Sequence, residues 1–295
     1  MVLTGLLAIA AAAAAPVPRA AAETAPPAAA ETAPPAAASP EASGIGALVE
    51  ALRLGEIFAI MQEEGRAYGA ELEEEMFPGR GGPSWAAEVD AIYDAEKILP
   101  AFTERLQAEL GADGAGLAPV IGFFGSATGR KAIELEVSAR RALLDEAVED
   151  AAKLRAAEMR EERDPRFAAL VAFAEANDLV EANVSSGLNA SLAFYAGLAE
   201  SGAIGEAHSE QDMLDDVWSQ EPALRADTEE WVYAFIALAY GPLSDAELAD
   251  YTAFSLSPEG RRLNRALFAA FDAVLSDISR ALGRAAGRRL TGEDI

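Results

Sequence analysis

A serine followed by a glycine and two basic residues occurs twice in this chain, once in a segment that begins at Ala115 and again in one that begins at Ala246. The full pattern is A-x-L-A-x4-F-x2-S-x2-G-R-[KR]. A serine hydroxyl, the N–H groups at a helix N-terminus and two cations are groups that together bind a phosphate or a carboxylate. One interpretation is therefore an anion site in each copy, formed by Ser126 and Arg130 in the first and by Ser257 and Arg261 in the second.

The same motif also has a purely structural interpretation. Serine is a common N-cap of a helix, and a glycine three residues later permits close packing of the two arms of a helical hairpin. Duplication favours this interpretation, because a fold element must be repeated whereas a site need not be. We then expect Arg261→Ala to leave the binding of any partner or ligand intact.

Three other groups of polar residues are weaker candidates. Asn183, Ser186 and Asn189 fall on a largely apolar helix, where polar side chains line a cavity or, more often, bond between helices. His208 lies among acidic residues, which favours a solvated loop over a weak metal site. The glutamates at 71–75 are typical of a solvated helix face. The sequence therefore predicts no metal site and no cofactor.

Composition argues against several classes of protein. The 295 residues include no cysteine and one histidine, so thiol chemistry is excluded and a histidine zinc site or a Ser-His-Asp triad is not expected. The formal net charge of −26 disfavours nucleic acid as a partner. Residues 261–289 depart from this acidity, with seven arginines and two aspartates. We expect this basic segment to dock on the acidic remainder of the chain.

The N-terminal segment, 1–42, has the composition of a leader and a linker. Residues 1–22 contain an apolar run that ends at Pro16 and a small-residue cleavage site, a pattern typical of a signal peptide and too short to span a membrane. Residues 23–42 contain the octapeptide ETAPPAAA twice, and its prolines favour an extended linker. We predict a periplasmic or secreted protein without a stable membrane span.

Helical periodicity continues from residue 44 onward, and no segment alternates as a strand would. The sequence therefore predicts an all-α fold, in which helical-hairpin repeats form one bundle-like body. A first helical unit is placed at 43–163 and a second at 164–295. The long helix of the second copy carries one apolar seam. The seam consists of Leu263, Leu267, Phe271, Val274, Ile278 and Leu282.

Capping residues and breakers predict where individual helices begin and end. A first helical stretch runs from Gly44 to the breaker at 78–83, and Pro100 is expected to kink or split its helix. Two small-residue positions, Gly187 and Gly197, lie on a face that lets another helix approach closely. The predicted starts are the N-caps Ser84, Ser126, Ser209, Asp227 and Ser257 and the capping boxes Asp178–Glu181 and Ser244–Glu247.

The C-terminal region carries a further pattern, a hydrophobic-Ser-x-x-Glu-Leu turn followed by Phe-x-x-Ser-Pro-x-Gly, over residues 239–262. It resembles a bacterial family of exported, all-helical proteins called domain of unknown function 2059. Residues 115–141 look like a degenerate second copy, with Ala127 where the pattern has proline. The resemblance implies export and a helical fold, and it supplies no catalytic or binding residue.

Three hypotheses of function follow from these observations. The first is a non-enzymatic interaction protein of the cell envelope, whose partner is another envelope protein. The second is a small-molecule binder between the two helical units, lined by Trp85, Trp218 or Trp231. The third is a carboxylate-dependent hydrolase of sugar polymers, which requires two carboxyl groups about 5 to 9 Å apart in an open cleft.

Overall fold

The computed structural model describes residues 44–111, 116–204 and 209–292. Within these ranges the chain forms α-helices and no β-strand, so the predicted all-α fold is confirmed. The predicted leader and linker and His208 lie outside the described residues. The helices are α1 (Ile45–Ala51), α2 (Leu54–Met76), α3 (Gly82–Ile92), α4 (Ala95–Leu110), α5 (Leu117–Phe124), α6 (Ala127–Ala142), α7 (Glu146–Glu161), α8 (Pro165–Ala176), α9 (Leu179–Glu200), α10 (Glu210–Ser219), α11 (Glu221–Tyr240), α12 (Asp245–Leu256) and α13 (Pro258–Thr291).

The longest helix, α13, packs against more of the other helices than a peripheral helix would, and it lies at the centre of the fold. It is 34 residues long, and all six residues of its predicted apolar seam are buried. It packs along α9 and α4 and also contacts α2, α3, α5 and α12. One continuous hydrophobic cluster extends from Leu48 to Ala286. The boundary between two units at residue 164 stays a prediction.

The helices α9 and α13 approach each other closely through glycines. A Cβ atom at Gly197 would overlap the carbonyl oxygen of Arg280, and one at Gly283 would overlap that of Phe194. Further contacts of α9 with α13 advance along both helices together, so the two helices run in the same direction. The predicted small-residue face of α9 therefore does bring a second helix into backbone contact.

The arginines near the end of α13 pair with glutamates of other helices, as expected for a basic segment docked on an acidic body. Arg280 and Arg284 both reach Glu200 at the end of α9, at 3.1 and 3.0 Å. Arg288 and Arg289 both reach Glu88 on α3. These pairs fix the last turns of α13 against two different elements.

Two of the predicted helix boundaries near the N-terminus are wrong. The first stretch is two helices, because Arg53 adopts a left-handed conformation with φ of 51° between α1 and α2. Ser84 lies inside α3, which begins at Gly82. The carboxylate of Glu73, predicted to be solvated, accepts hydrogen bonds from the first N–H groups there, at 2.9 Å from Gly81. A side chain from the neighbouring helix thus replaces the serine cap.

Two later boundaries also differ from the prediction, and α9 begins at Leu179 as predicted but without the predicted cap. Pro100 does not split α4; the break lies earlier, at Asp94, which caps the helix through the N–H of Glu96. Asp178 has a left-handed φ of 54° and makes no cap hydrogen bond, because α9 follows α8 with almost no connection. Asp227 lies inside α11, which starts instead at Glu221 with Pro222 in its first turn. Ser209 and Ser244 cap their helices with complete capping boxes, as predicted for Ser244 and Glu247.

Among the described residues, no helix combines the length and the apolar character that crossing a bilayer requires.

Candidate functional site: the paired hairpin turns

Each copy of the repeated motif forms a tight turn between two helices, α5–α6 and α12–α13. The hydroxyl of Ser126 accepts from the N–H of Gly129 at 3.1 Å, and that of Ser257 accepts from the N–H of Gly260 at 3.0 Å. Both predicted N-caps are therefore confirmed. A Cβ atom at either glycine would overlap the carbonyl oxygen of the phenylalanine in the same copy of the motif. The serine and the glycine of the motif thus have structural roles in both copies.

The two turns also pack against each other. The rings of Phe123 and Phe254, which occupy the same motif position, are stacked with centroids 4.0 Å apart and planes 2° apart. The first helix of each hairpin packs on the second helix of the other, α5 on α13 and α12 on α6. Such reciprocal contacts are typical of two units related by a two-fold axis, since the same patch of each unit then faces the same patch of the other.

The second basic residue of each motif reaches across to the other hairpin. Lys131 pairs with Glu247 at 2.7 Å, and the pKa of Glu247 falls to about 2 because of Lys131 and its hydrogen bonds with Ser244. Arg262 donates to the Leu110 carbonyl and lies 3.0 Å from the Cβ position of Gly116. Gly116 and Glu247 occupy equivalent positions in the two copies, so Lys131 and Arg262 lie near equivalent points of the opposite motif, although the acceptor that Arg262 reaches is the Leu110 carbonyl of α4.

The first arginine of each motif is different, because it points away from this packing. Arg130 is exposed and donates only to the Gly125 carbonyl of its own turn. Arg261 is exposed, and its side chain makes no hydrogen bond or ion pair within the described part of the chain. Phe123 and Phe254 are partly exposed beside them, and the Leu256 side chain is 46% exposed. These five residues form what we call the hairpin-turn surface.

The hairpin-turn surface is basic, unlike the chain as a whole. The two segments that form it, 123–134 and 254–265, contain five basic and two acidic residues, whereas the chain carries a net charge of −26. Both α6 and α13 also begin here, and the N-terminal end of a helix carries a partial positive charge. The arrangement can therefore hold negatively charged groups next to an apolar contact.

A second polar cluster lies in the core and involves Trp231, another predicted site residue. Trp231 is 7% exposed and lies between the ring of Phe235, stacked at 5.2 Å, and the guanidinium of Arg140 at 5.2 Å. Arg140 is itself buried and pairs with Glu64 at 2.6 Å. The indole ring thus packs against groups of the protein itself.

One turn before Arg140, the fully buried carboxylate of Glu136 accepts two hydrogen bonds. They come from the hydroxyls of Tyr240 at 2.9 Å and Tyr251 at 2.7 Å. Sequence reasoning did not single out this cluster, because a glutamate on a helix rich in charge has no pattern that marks it as buried. Its position ties α6 to α11 and α12.

The two tyrosines predict a loss of stability at alkaline pH. Burial, and after it the charge of Glu136, raise the pKa of both well above the ordinary 10.0. Above about pH 10 the unfolded chain therefore releases protons that the folded chain keeps, so the free energy of unfolding falls as pH rises, whereas below pH 10 the contribution is complete. We expect Tyr251→Phe to flatten this decline when urea unfolding is measured between about pH 9 and pH 11. Equal slopes for the variant and the natural chain would contradict the assignment.

The remaining candidates from the sequence are dispersed. The indole N–H of Trp85 donates to the Gly69 carbonyl at 2.7 Å in the core, whereas Trp218 is 62% exposed on α10. Asn183 donates to the Leu179 carbonyl on its own helix, and Asn189 donates to Asp272 on α13 at 3.0 Å. These asparagines therefore bond within and between helices, and Ser186 is buried at the same interface.

The grooves on the described surface include two that lie between helices. One, between α3, α4 and α13, has a volume of about 260 Å³, an apolar floor that includes Ile98 and Ile278, and the Arg105–Asp277 ion pair at its rim. The other, between α7 and α11, has a volume of about 250 Å³ and charged walls. In the ranges that the structure covers, no three acidic or histidine side chains come together as metal ligands would.

Comparisons with protein-family models, with curated proteins and with solved structures returned no match.

Proposed function

We propose that this protein is an exported, non-enzymatic interaction protein of the cell envelope, related to the domain of unknown function 2059 family. The observation that carries the proposal is the hairpin-turn surface. It places partly exposed aromatic rings, an exposed leucine and two exposed arginines together, and neither of these arginines pairs with an acidic side chain among the described residues. Aromatic residues and arginine are the types enriched where proteins bind each other.

The small-molecule alternative has one observation in its favour, the groove between α3, α4 and α13. Its volume of about 260 Å³ is slightly below the range typical of ligand pockets, and its lining is largely apolar. Trp85, Trp218 and Trp231 are absent from this lining. We therefore place this function second, and a thermal shift with a metabolite that Ala281→Trp in the groove lining abolishes would favour it.

Site-specific photo-crosslinking in living cells tests the interaction proposal. The photoreactive residue p-benzoylphenylalanine replaces Leu256 on the hairpin-turn surface or, as the matched control, the 62% exposed Leu154 on α7. We expect one envelope protein to be captured from position 256 and not from position 154. A photoreactive residue in that protein should in turn capture this chain.

Two results would contradict the proposal. One is an identical capture profile from both positions, which would mean non-specific contact. The other is turnover of an envelope substrate by the purified protein that a point mutation abolishes, since the protein would then be an enzyme.

A further inference from the structure

We infer that the hairpin-turn surface binds an acidic peptide segment, whose carboxylates pair with Arg130 and Arg261 while an apolar side chain contacts the Phe123–Phe254 stack. This inference rests on the proposed function and specifies the chemistry of the partner. It divides the repeated motif by role: the serine, the glycine and the second basic residue build the fold, and the first arginine binds.

The contacts of the two basic residues in each motif carry this division. Lys131 pairs with Glu247 of the opposite hairpin, and Arg262 donates to the Leu110 carbonyl at the end of α4, so both side chains are used within the fold. Arg261 satisfies none among the described residues, and Arg130 reaches only the carbonyl of its own turn. The duplication requires Lys131 and Arg262 to be basic, but it does not require an exposed arginine beside each of them.

Charge complementarity identifies the occupant as acidic. Arginines in this setting bind carboxylates through paired N–H groups, and a stacked aromatic pair next to them supplies contact area at low entropic cost. Arg130 and Arg261 have no acidic partner among the described residues, on a chain whose net charge is −26. A basic or neutral partner would gain nothing from them.

The same net charge argues for a narrow segment over an anionic membrane. A membrane is an extended negative plane, so it would face the acidic remainder of the body as well as the basic surface. A peptide segment touches the hairpin-turn surface alone, and at physiological salt charges more than about 8 Å away are screened. The acidic body then contributes little repulsion.

The two-fold arrangement predicts how the two arginines share the binding energy. Arg130 and Arg261 occupy equivalent positions in the two copies of the motif, whose phenylalanines are stacked on each other. Loss of either should therefore weaken binding to a similar degree, and loss of both should weaken it further. This contradicts the expectation from duplication alone that Arg261→Ala has no effect on binding.

Fluorescence anisotropy with the purified protein tests the inference. The probe is a short labelled peptide of alternating glutamate and aspartate around one central phenylalanine, and the control peptide has lysine at every acidic position. We expect Arg130→Ala and Arg261→Ala each to raise the Kd about five- to tenfold, and the double variant to raise it more than either. The matched control Arg155→Ala, an exposed arginine on α7, should leave the Kd within about twofold. Circular dichroism verifies that all variants fold.

The outcomes separate this inference from the proposed function. Equal binding of the acidic and the lysine peptides, or an unchanged Kd in Arg261→Ala, overturns the inference and leaves the motif with a structural role only. Tighter binding to phosphatidylglycerol vesicles than to the peptide also overturns it, in favour of a membrane. If crosslinking from position 256 still captures one protein, the interaction proposal stands without the acidic segment; if both experiments fail, both are wrong.

Discussion

Glu136→Ala is expected to lower the free energy of unfolding by about 3 to 5 kcal/mol, because two buried hydroxyls lose their acceptor and a cavity opens in the core. The carboxylate is fully buried and accepts from Tyr240 and Tyr251. Urea unfolding followed by circular dichroism at pH 7 measures the loss.

The same helix provides the control for this variant. Glu134→Ala removes an exposed glutamate close by on α6 and should change the stability by less than about 0.5 kcal/mol. Glu136→Gln keeps an acceptor of similar shape and should fall between the two. If Glu136→Ala unfolds at the same urea concentration as Glu134→Ala, the carboxylate does not hold α6, α11 and α12 together.

Gly283→Ala is expected to destabilise the protein by about 3 kcal/mol, at the upper end of the usual range for overpacking. The new methyl group would overlap the Phe194 carbonyl oxygen, which belongs to the backbone of α9 and has no rotamer to change. The two helices would have to move apart along their whole interface. Thermal and urea unfolding both report this change.

Gly122→Ala is the matched control, and we expect it to raise the free energy of unfolding where Gly283→Ala lowers it. Gly122 lies inside α5 with no atom near its Cβ position, so alanine gains helix propensity without a clash. We expect a stabilisation of up to about 1 kcal/mol. Stabilisation by both substitutions would show that α9 and α13 do not touch where the structure places them.

The parts of the fold that local chemistry determines were predictable from the sequence. Ser126, Ser244 and Ser257 cap helices because their hydroxyls accept from N–H groups only a few positions further along the chain. The α13 seam was predictable because a spacing of three and four positions places side chains on one face. The small-residue face of α9 followed from the same geometry.

The errors occur where distant contacts override these local preferences. Ser84 was a reasonable cap, but the carboxylate of Glu73 arrives from another helix and caps α3 at an earlier position. Arg53 and Asp178 adopt left-handed conformations, which are uncommon for residues other than glycine. No local pattern predicts either one.

Only part of the candidate site was predictable, because the rest depends on contacts between segments far apart in the sequence. The motif located the two turns, and its serine and glycine positions were correctly assigned to caps and close packing. The sequence could not distinguish Arg261 from Arg262, because they are adjacent and identical and only the position of the other hairpin decides which one crosses. Exposure of the phenylalanine pair likewise depends on how two segments far apart in the sequence meet.

The central position of α13 has a consequence for the order in which the molecule is made. A ribosome releases the chain from its N-terminus, so helices α1 to α12 emerge before the helix on which six of them pack. The apolar faces of α4 and α9 stay uncovered until residues 258–291 follow. Such a nascent chain exposes apolar surface late in synthesis, and surface of this kind is what chaperones bind.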